Sequence, residues 1–131
     1  MRIRAIQSSE YEAARLLLGR CGWTKKVEDI AVFHRAVENS QIALVAEVDG
    51  TVVGFLRAIT DHTFNGYISM VAVEQRFRGL GIGSALVAAA VGSNPRITWV
   101  LRADRTGVSG FYKALGFEPS EAAMEKRRTA I

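Results

Sequence analysis

The segment Arg76-Phe77-Arg78-Gly79-Leu80-Gly81-Ile82-Gly83-Ser84 restricts this chain more than any other. It follows an apolar run, Tyr67 to Val73, that reads as a strand, and it precedes a helical pattern, Gly83 to Val91. Glycines at alternate positions let the main chain turn sharply and let several N–H groups converge with no Cβ between them. The start of a helix adds unpaired donors and a partial positive charge, so the turn suits a phosphate group. Arg76 and Arg78 add full charges. Two common phosphate loops do not fit. No lysine follows the last glycine, as the pattern G-x-x-x-x-G-K-[ST] requires, and the dinucleotide pattern G-x-G-x-x-G meets Ser84 or Leu86 at its third glycine.

The remaining pattern is that of a mixed α/β chain. Arg2 to Ile6 alternates weakly and is expected to form a first strand, and Ser9 with Glu12 makes a capping-box pattern before Ala13, Ala14, Leu17 and Leu18 at helical spacing. Gly19 and Gly22 end that helix, and Val27, Ile30, Phe33 and Val37 mark a second one. Ile42 to Val48 and Thr51 to Ile59 are rich in β-branched residues and flank Asp49-Gly50, a dipeptide suited to a tight hairpin turn. After the glycine loop and its helix, Gly92 to Pro95 is a stop, and Ile97 to Leu101 reads as a strand. A short helix follows with Val108, Phe111, Tyr112 and Leu115 on one face and Gly116 as its stop, and Met124 to Ile131 is expected to be a last strand. At 131 residues, with no repeat or proline-rich linker, residues 1–131 are expected to form one domain around one sheet.

Charge and cysteine usage exclude several classes. Lysine and arginine exceed acidic residues by 17 − 13 = 4, and the isoelectric point is near 9.6, which favours anionic partners. Nucleic acid is disfavoured, because no helix-turn-helix, zinc-ligand set or RNP-type aromatic strand accompanies that charge. The basic end, Lys126, Arg127 and Arg128, reads as the charged edge of a sheet. Cys21 is the only cysteine, so an intrachain disulfide is impossible, in keeping with a reducing compartment. The polar beginning lacks the apolar stretch of a secretory signal, and the longest apolar run, Ala85 to Val91, is too short to span a bilayer. The expectation is a soluble, cytoplasmic protein with no metal site.

One phosphate-loop pattern does match. Arg78, Gly81 and Gly83 fit [QR]-x-x-G-x-[GA], which resembles the pyrophosphate-binding motif of the GNAT superfamily of acyl-CoA-dependent N-acetyltransferases. Met70-Val71-Ala72-Val73 looks like that family's fourth strand and Gly83 to Val91 like its third helix. Phe111-Tyr112-Lys113-Ala114-Leu115-Gly116-Phe117 resembles the family's F-Y-x-x-x-G-F segment, at the expected distance. The resemblance covers about residues 42–117. It implies a mostly antiparallel twisted sheet whose fourth and fifth strands splay apart, with helices on both faces. It also implies acetyl-CoA as acyl donor and a primary amine as acceptor, attacked directly in a ternary complex. The pyrophosphate would be bound by Arg76, Arg78, Gly79, Leu80, Gly81, Ile82, Gly83 and Ser84, and the pantetheine arm by main-chain groups of Val71, Ala72 and Val73. Tyr112 would protonate the departing thiolate. Domains of this kind often pair, so a homodimer through terminal strands is a further expectation.

The match has departures. Gln75 stands where a proline is common, and Arg105 replaces an asparagine that helps orient the cofactor. Tyr67 occupies the place of a strand-borne glutamate base, so a direct carboxylate base is missing there. His62 or Asp61, or water alone, would then accept the amine proton. Trp23, Phe33 and Phe64 could line an acceptor pocket, and Glu28, Asp29 or Glu38 could attract a cationic amine, yet each has an equally good core or surface reading. His34 and Cys21 read as ordinary structural residues. A protein that holds acetyl-CoA without turnover is the alternative, supported by Arg105 and the absent glutamate.

Overall fold

A computed structural model describes residues 1–103 and 107–129. The sheet grows outward from the hairpin that Asp49-Gly50 closes. Both residues have positive φ, 49° and 77°, the geometry that matches the twist of the strands it joins. Strands β2 (Ile42–Val48) and β3 (Thr51–Thr60) run antiparallel from this turn. Strand β1 (Arg2–Ala5) pairs antiparallel with β2, and β4 (Asn65–Val73) pairs antiparallel with β3. Strand β5 (Thr98–Leu101) adds to β4 in parallel, so the order across the sheet is β1-β2-β3-β4-β5.

Helices cover both faces. On one, α1 (Tyr11–Leu18) and α3 (Ile30–Glu38) bury Ala14, Leu17, Leu18, Phe33 and Val37 against Val45, Phe55, Met70 and Ala72. Leu17, Leu18, Phe33 and Phe55 are almost wholly removed from water, each worth about 1.5–3 kcal/mol of transfer free energy. Strand alternation sends Gly54 to the opposite face, where α4 (Ile82–Val91) packs. A Cβ on Gly54 would lie 3.1 Å from Leu86 Cδ1 and 3.3 Å from Ile82 Cγ2. The missing side chain therefore brings the first turns of α4 close to β3, opposite the end of β4.

Several local expectations change. The capping box at the first helical turn is Gln7 with Glu10, not Ser9 with Glu12. Glu10 is held there by Arg4, whose Nη2 lies 2.6 Å from Glu10 Oε2 and 2.7 Å from Glu47 Oε1, while Glu12 pairs with Arg15 one turn on. The second expected helix is two. Val27 ends the short α2 (Thr24–Val27), and Asp29 caps α3 by accepting the Val32 N–H at 3.1 Å. A side chain that satisfies the new helix start competes with continuation of the old one. Strand β4 begins at Asn65, two residues before its apolar run, because Asp61 organises the turn ahead of it. Residues 124–129 form no strand, and Met124 is 97% exposed.

The chain divides into two units, residues 1–101 and residues 102–131. The first holds the sheet and α1 to α4. The second holds α5 (Val108–Ala114), on which the Tyr112 ring meets Phe111 and Phe117 edge-on at 4.9 and 5.8 Å between centroids. Arg102 and Glu125 form an ion pair in this unit at 3.0 Å. Among the described residues no helix is long and apolar enough to cross a membrane.

Candidate active site

Strand β4 is paired with β5 over only part of its length. The register joins Asn65, Gly66, Tyr67 and Ile68 to Thr98, Trp99, Val100 and Leu101, where β5 stops. From Ser69 to Val73, β4 has no strand on its outer edge among the described residues. Which groups face that edge follows from the other side. The Glu74 N–H donates to Val53 O at 2.8 Å, so antiparallel alternation turns the main-chain groups of Ala72 and Met70 toward β3 as well. Those of Val71 and Val73 face the open edge. The side chains alternate correspondingly, with Met70 and Ala72 buried beneath α1 and α3.

Trp99 sets where the opening begins. A Cβ on Gly66 would lie 2.4 Å from two atoms of its indole, so the ring lies across the main chain of its partner residue in β4. Only a glycine accommodates that approach, and it seats β5 against the first half of β4.

The glycine loop occupies the end of the open edge. A short 3-10 turn, Gln75–Phe77, leaves β4, and Gly79 and Gly81 follow with φ of +80° and +85°. Nothing lies within 4 Å of a Cβ built at either, so these glycines serve conformation rather than packing. Gly81 is the N-cap of α4, and no side chain caps the helix. The first N–H groups of α4, from Ile82, Gly83 and Ser84, thus have neither an intrahelical partner nor a capping side chain. The Ile82 side chain is buried, whereas Leu80 is 69% exposed.

The arginines of the loop are held differently. Arg78 turns back, its Nε donating to Val73 O at 2.9 Å and its Nη2 to Cys21 Sγ at 3.5 Å. Cys21 Sγ itself donates to Val73 O at 3.6 Å. Arg76 lies over the Phe77 ring, 5.3 Å from its centroid. Glu74 pairs with Arg20 at 2.7 Å, and that hydrogen bond, helped by the charges of Arg20, Arg76 and Arg78, holds its carboxyl below the usual carboxylate range. The helical segment before α2 is in this way tied to the loop.

The candidate bases separate. Asp61 Oδ1 accepts the N–H groups of Asn65, Thr63 and Phe64 at 3.0, 2.9 and 2.8 Å, which hold its carboxyl down to about 2. Its proton affinity is used up in building the β3–β4 turn. His62 sits in the same turn, exposed, at φ 60°. His34 lies on α3 with Tyr11 edge-on to its ring at 5.1 Å. Phe64 is 68% exposed, while Phe33 belongs to the core. Asp29 is the α3 cap described above, and Arg105 lies outside the described residues. One polar residue in the sheet escaped sequence reasoning: Arg57, on β3, bonded to Ser40 and Ser69.

The acetyltransferase (GNAT) domain profile matches residues 39–119, which include the sheet from β2 onward, the glycine loop and α5. An acetyltransferase of Yersinia pestis (strain Pestoides F) is 27% identical over 139 aligned positions, covering 100% of this chain and 97% of the relative. Among solved structures, a GNAT-family protein from Xanthomonas campestris pv. campestris superposes with a TM-score of 0.74 at 25% identity, over 98% of this chain and 94% of the other. An aminoglycoside N-acetyltransferase solved in complex with CoA has the same fold, with a TM-score of 0.74 at 19% identity over 98% and 95% of the two chains. The chain belongs to the family of GNAT N-acetyltransferases.

Proposed function

We propose that this protein transfers the acetyl group of acetyl-CoA to a primary amine by direct attack in a ternary complex, residues 1–131 acting as one catalytic domain. The observation that carries this reading is the uncapped start of α4 lying at the end of the unpaired edge of β4. The first suits a diphosphate and the second an extended arm bearing amides. Acetyl-CoA supplies both, together with a thioester carbonyl open to attack.

The chain's own groups have distinct tasks. Main-chain N–H groups from Gly79 to Ser84 bind the diphosphate, and Arg76 and Arg78 raise the local positive potential. Val71 offers its outward main-chain groups and Val73 its N–H to the arm, the Val73 carbonyl being taken by Arg78 and Cys21, while Ala72 keeps the strand joined to β3. The Val73 N–H stabilises negative charge that develops on the thioester oxygen. Tyr112 donates a hydrogen bond to the leaving sulfur. A tyrosine at pKa about 10 against a thiol at about 8.5 makes complete proton transfer uphill by about 2 kcal/mol, small beside an enzymatic barrier reduction. With Asp61 committed to its turn, the amine proton goes to solvent or to His62.

The test is thiol release and product formation with acetyl-CoA over a panel of amines, together with calorimetric titration of CoA. The Tyr112→Phe variant is expected to bind CoA as the parent does and to lose at least about tenfold in kcat. Unchanged turnover removes Tyr112 from the chemistry. Binding of acetyl-CoA without its consumption in the presence of any amine would establish a sensor instead.

A further inference from the structure

Arg57 is a half-buried cation of the sheet without a counter-ion among the described residues. It follows Phe55 by two positions on the face that α3 covers, and Phe55 meets Phe33 of α3 at 6.2 Å between ring centroids. Its Nε donates to Ser40 Oγ at 2.9 Å and its Nη1 to Ser69 Oγ at 2.7 Å. Ser40 Oγ gives its own proton to Ala36 O at 2.7 Å, so it accepts from Arg57 as a neutral oxygen. No Asp or Glu pairs with Arg57 among the described residues, and its Nη2 has no hydrogen-bond partner there. Burial pushes the guanidinium below its ordinary pKa, with the nearby Tyr67 opposing that shift. An arginine nevertheless stays charged at any physiological pH.

Its position is specific. Ser69 is the first residue of β4 beyond the end of β5, and the register between β3 and β4 slips at this point, between Arg57 and Ala58. The guanidinium is therefore fastened to the place where the sheet opens. Beside it, Ile59, Tyr67 and Val100 form a row across β3, β4 and β5 on the same face. Ile59 and Val100 are 45% and 42% exposed. A partly exposed cation with unused donors, next to an apolar row at the opening, matches a carboxylate attached to an apolar body.

We infer that Arg57 recognises a carboxylate on the acceptor, so that the amine acetylated belongs to an α-amino acid or a similar carboxylate-bearing amine with an apolar side chain. This rests on the acetyltransferase reading and narrows its acceptor. Two parallel N–H···O bonds from a guanidinium to a carboxylate would orient the adjacent amine toward the opening. The same charge disfavours polycationic amines. Arg57 is a specificity residue here and takes no part in bond making.

Matched ligands test it. N-acetyl-L-phenylalanine and N-acetylphenethylamine differ in the carboxylate, and both are titrated calorimetrically into the protein with and without CoA. The acid is expected to bind at least about tenfold tighter to the parent protein, as charge-assisted bonds require. Arg57→Gln should bring the ratio near one, and Arg57→Lys should keep part of it. In turnover, L-phenylalanine should exceed phenethylamine in kcat/KM by a similar factor, with the difference mainly in KM. Equal affinities in the parent, binding of neither product, or a preference that persists in Arg57→Gln would overturn the inference. If Arg57→Gln does not fold, the ratio in the parent still decides. Absence of CoA affinity or of any amine turnover would strike the acetyltransferase reading instead, and amine turnover without a carboxylate preference would strike the role of Arg57 alone.

Discussion

Replacing Gly66 with alanine should loosen the junction between β4 and β5. A Cβ there would stand 2.4 Å from the Trp99 ring, against about 3.4 Å for ordinary contact, so the indole or β5 must move by 3.4 − 2.4 = 1.0 Å. Overpacking of this kind costs about 1–3 kcal/mol. The intrinsic preference runs the other way, since alanine in a strand is favoured over glycine by roughly 0.5–1 kcal/mol when space allows. The net loss, up to about 2.5 kcal/mol, corresponds at this chain length to a fall in Tm of up to roughly 10 °C. A double-mutant cycle isolates the cause. In a Trp99→Ala background the obstruction is gone, and Gly66→Ala should be neutral or stabilising, leaving a coupling of about 1–3 kcal/mol. Thermal or urea unfolding of the four proteins provides the measurement. A Gly66→Ala change with the same effect on stability in both backgrounds would refute the reasoning.

Further outcomes follow from the loop and from the turn before β4. Gly81→Ala places a Cβ at φ +85° in open space, so strain alone should appear, about 1–2 kcal/mol of stability, and CoA affinity should fall as the helix start shifts. Unfolding and CoA titration read the two effects separately, and unchanged values for both would count against a conformational role. Asp61 has a folded pKa of about 2 against an ordinary 3.8, so its charge stabilises the fold above pH 4, and this contribution is lost as pH falls toward 2. The Tm difference between the parent and Asp61→Asn should accordingly be full near pH 5 and close between pH 4 and pH 2. A gap that persists at pH 2 would show that the three N–H bonds do not depend on the charge.

Much of the fold is legible where a local rule has no competitor. Asp49-Gly50 between β-branched runs allows one tight turn, and the glycines at 79 and 81 allow a left-handed path that other residues resist. The misses come from long-range partners. Ser9 and Glu12 satisfy a capping pattern on paper, but Arg4 draws Glu10 into that role from 6 positions away. The spacing of Val27, Ile30, Phe33 and Val37 is helical, yet Asp29 restarts the helix between the first two. Arg57 is the one charged residue of a largely apolar run, Thr51 to Ile59, and nothing local names its partners. Its contact with Ser69 depends on a slip in the strand register that composition cannot display. Gly66 directly precedes the apolar run Tyr67 to Val73, and its role under an indole 33 positions later has no local signature.

Three of the five strands, β2, β3 and β4, are joined in sequence by short turns and can assemble by closing them. The outer two are not: β1 reaches β2 across residues 6–41, and β5 reaches β4 only after residues 74–97 have traced the loop and α4 across the other face. Both closures cost more entropy than the short turns of the central strands, and the second also requires a crossover because its pairing is parallel. The open edge of β4 thus lies between a three-strand meander held by short turns and a four-residue strand that arrives from far along the chain.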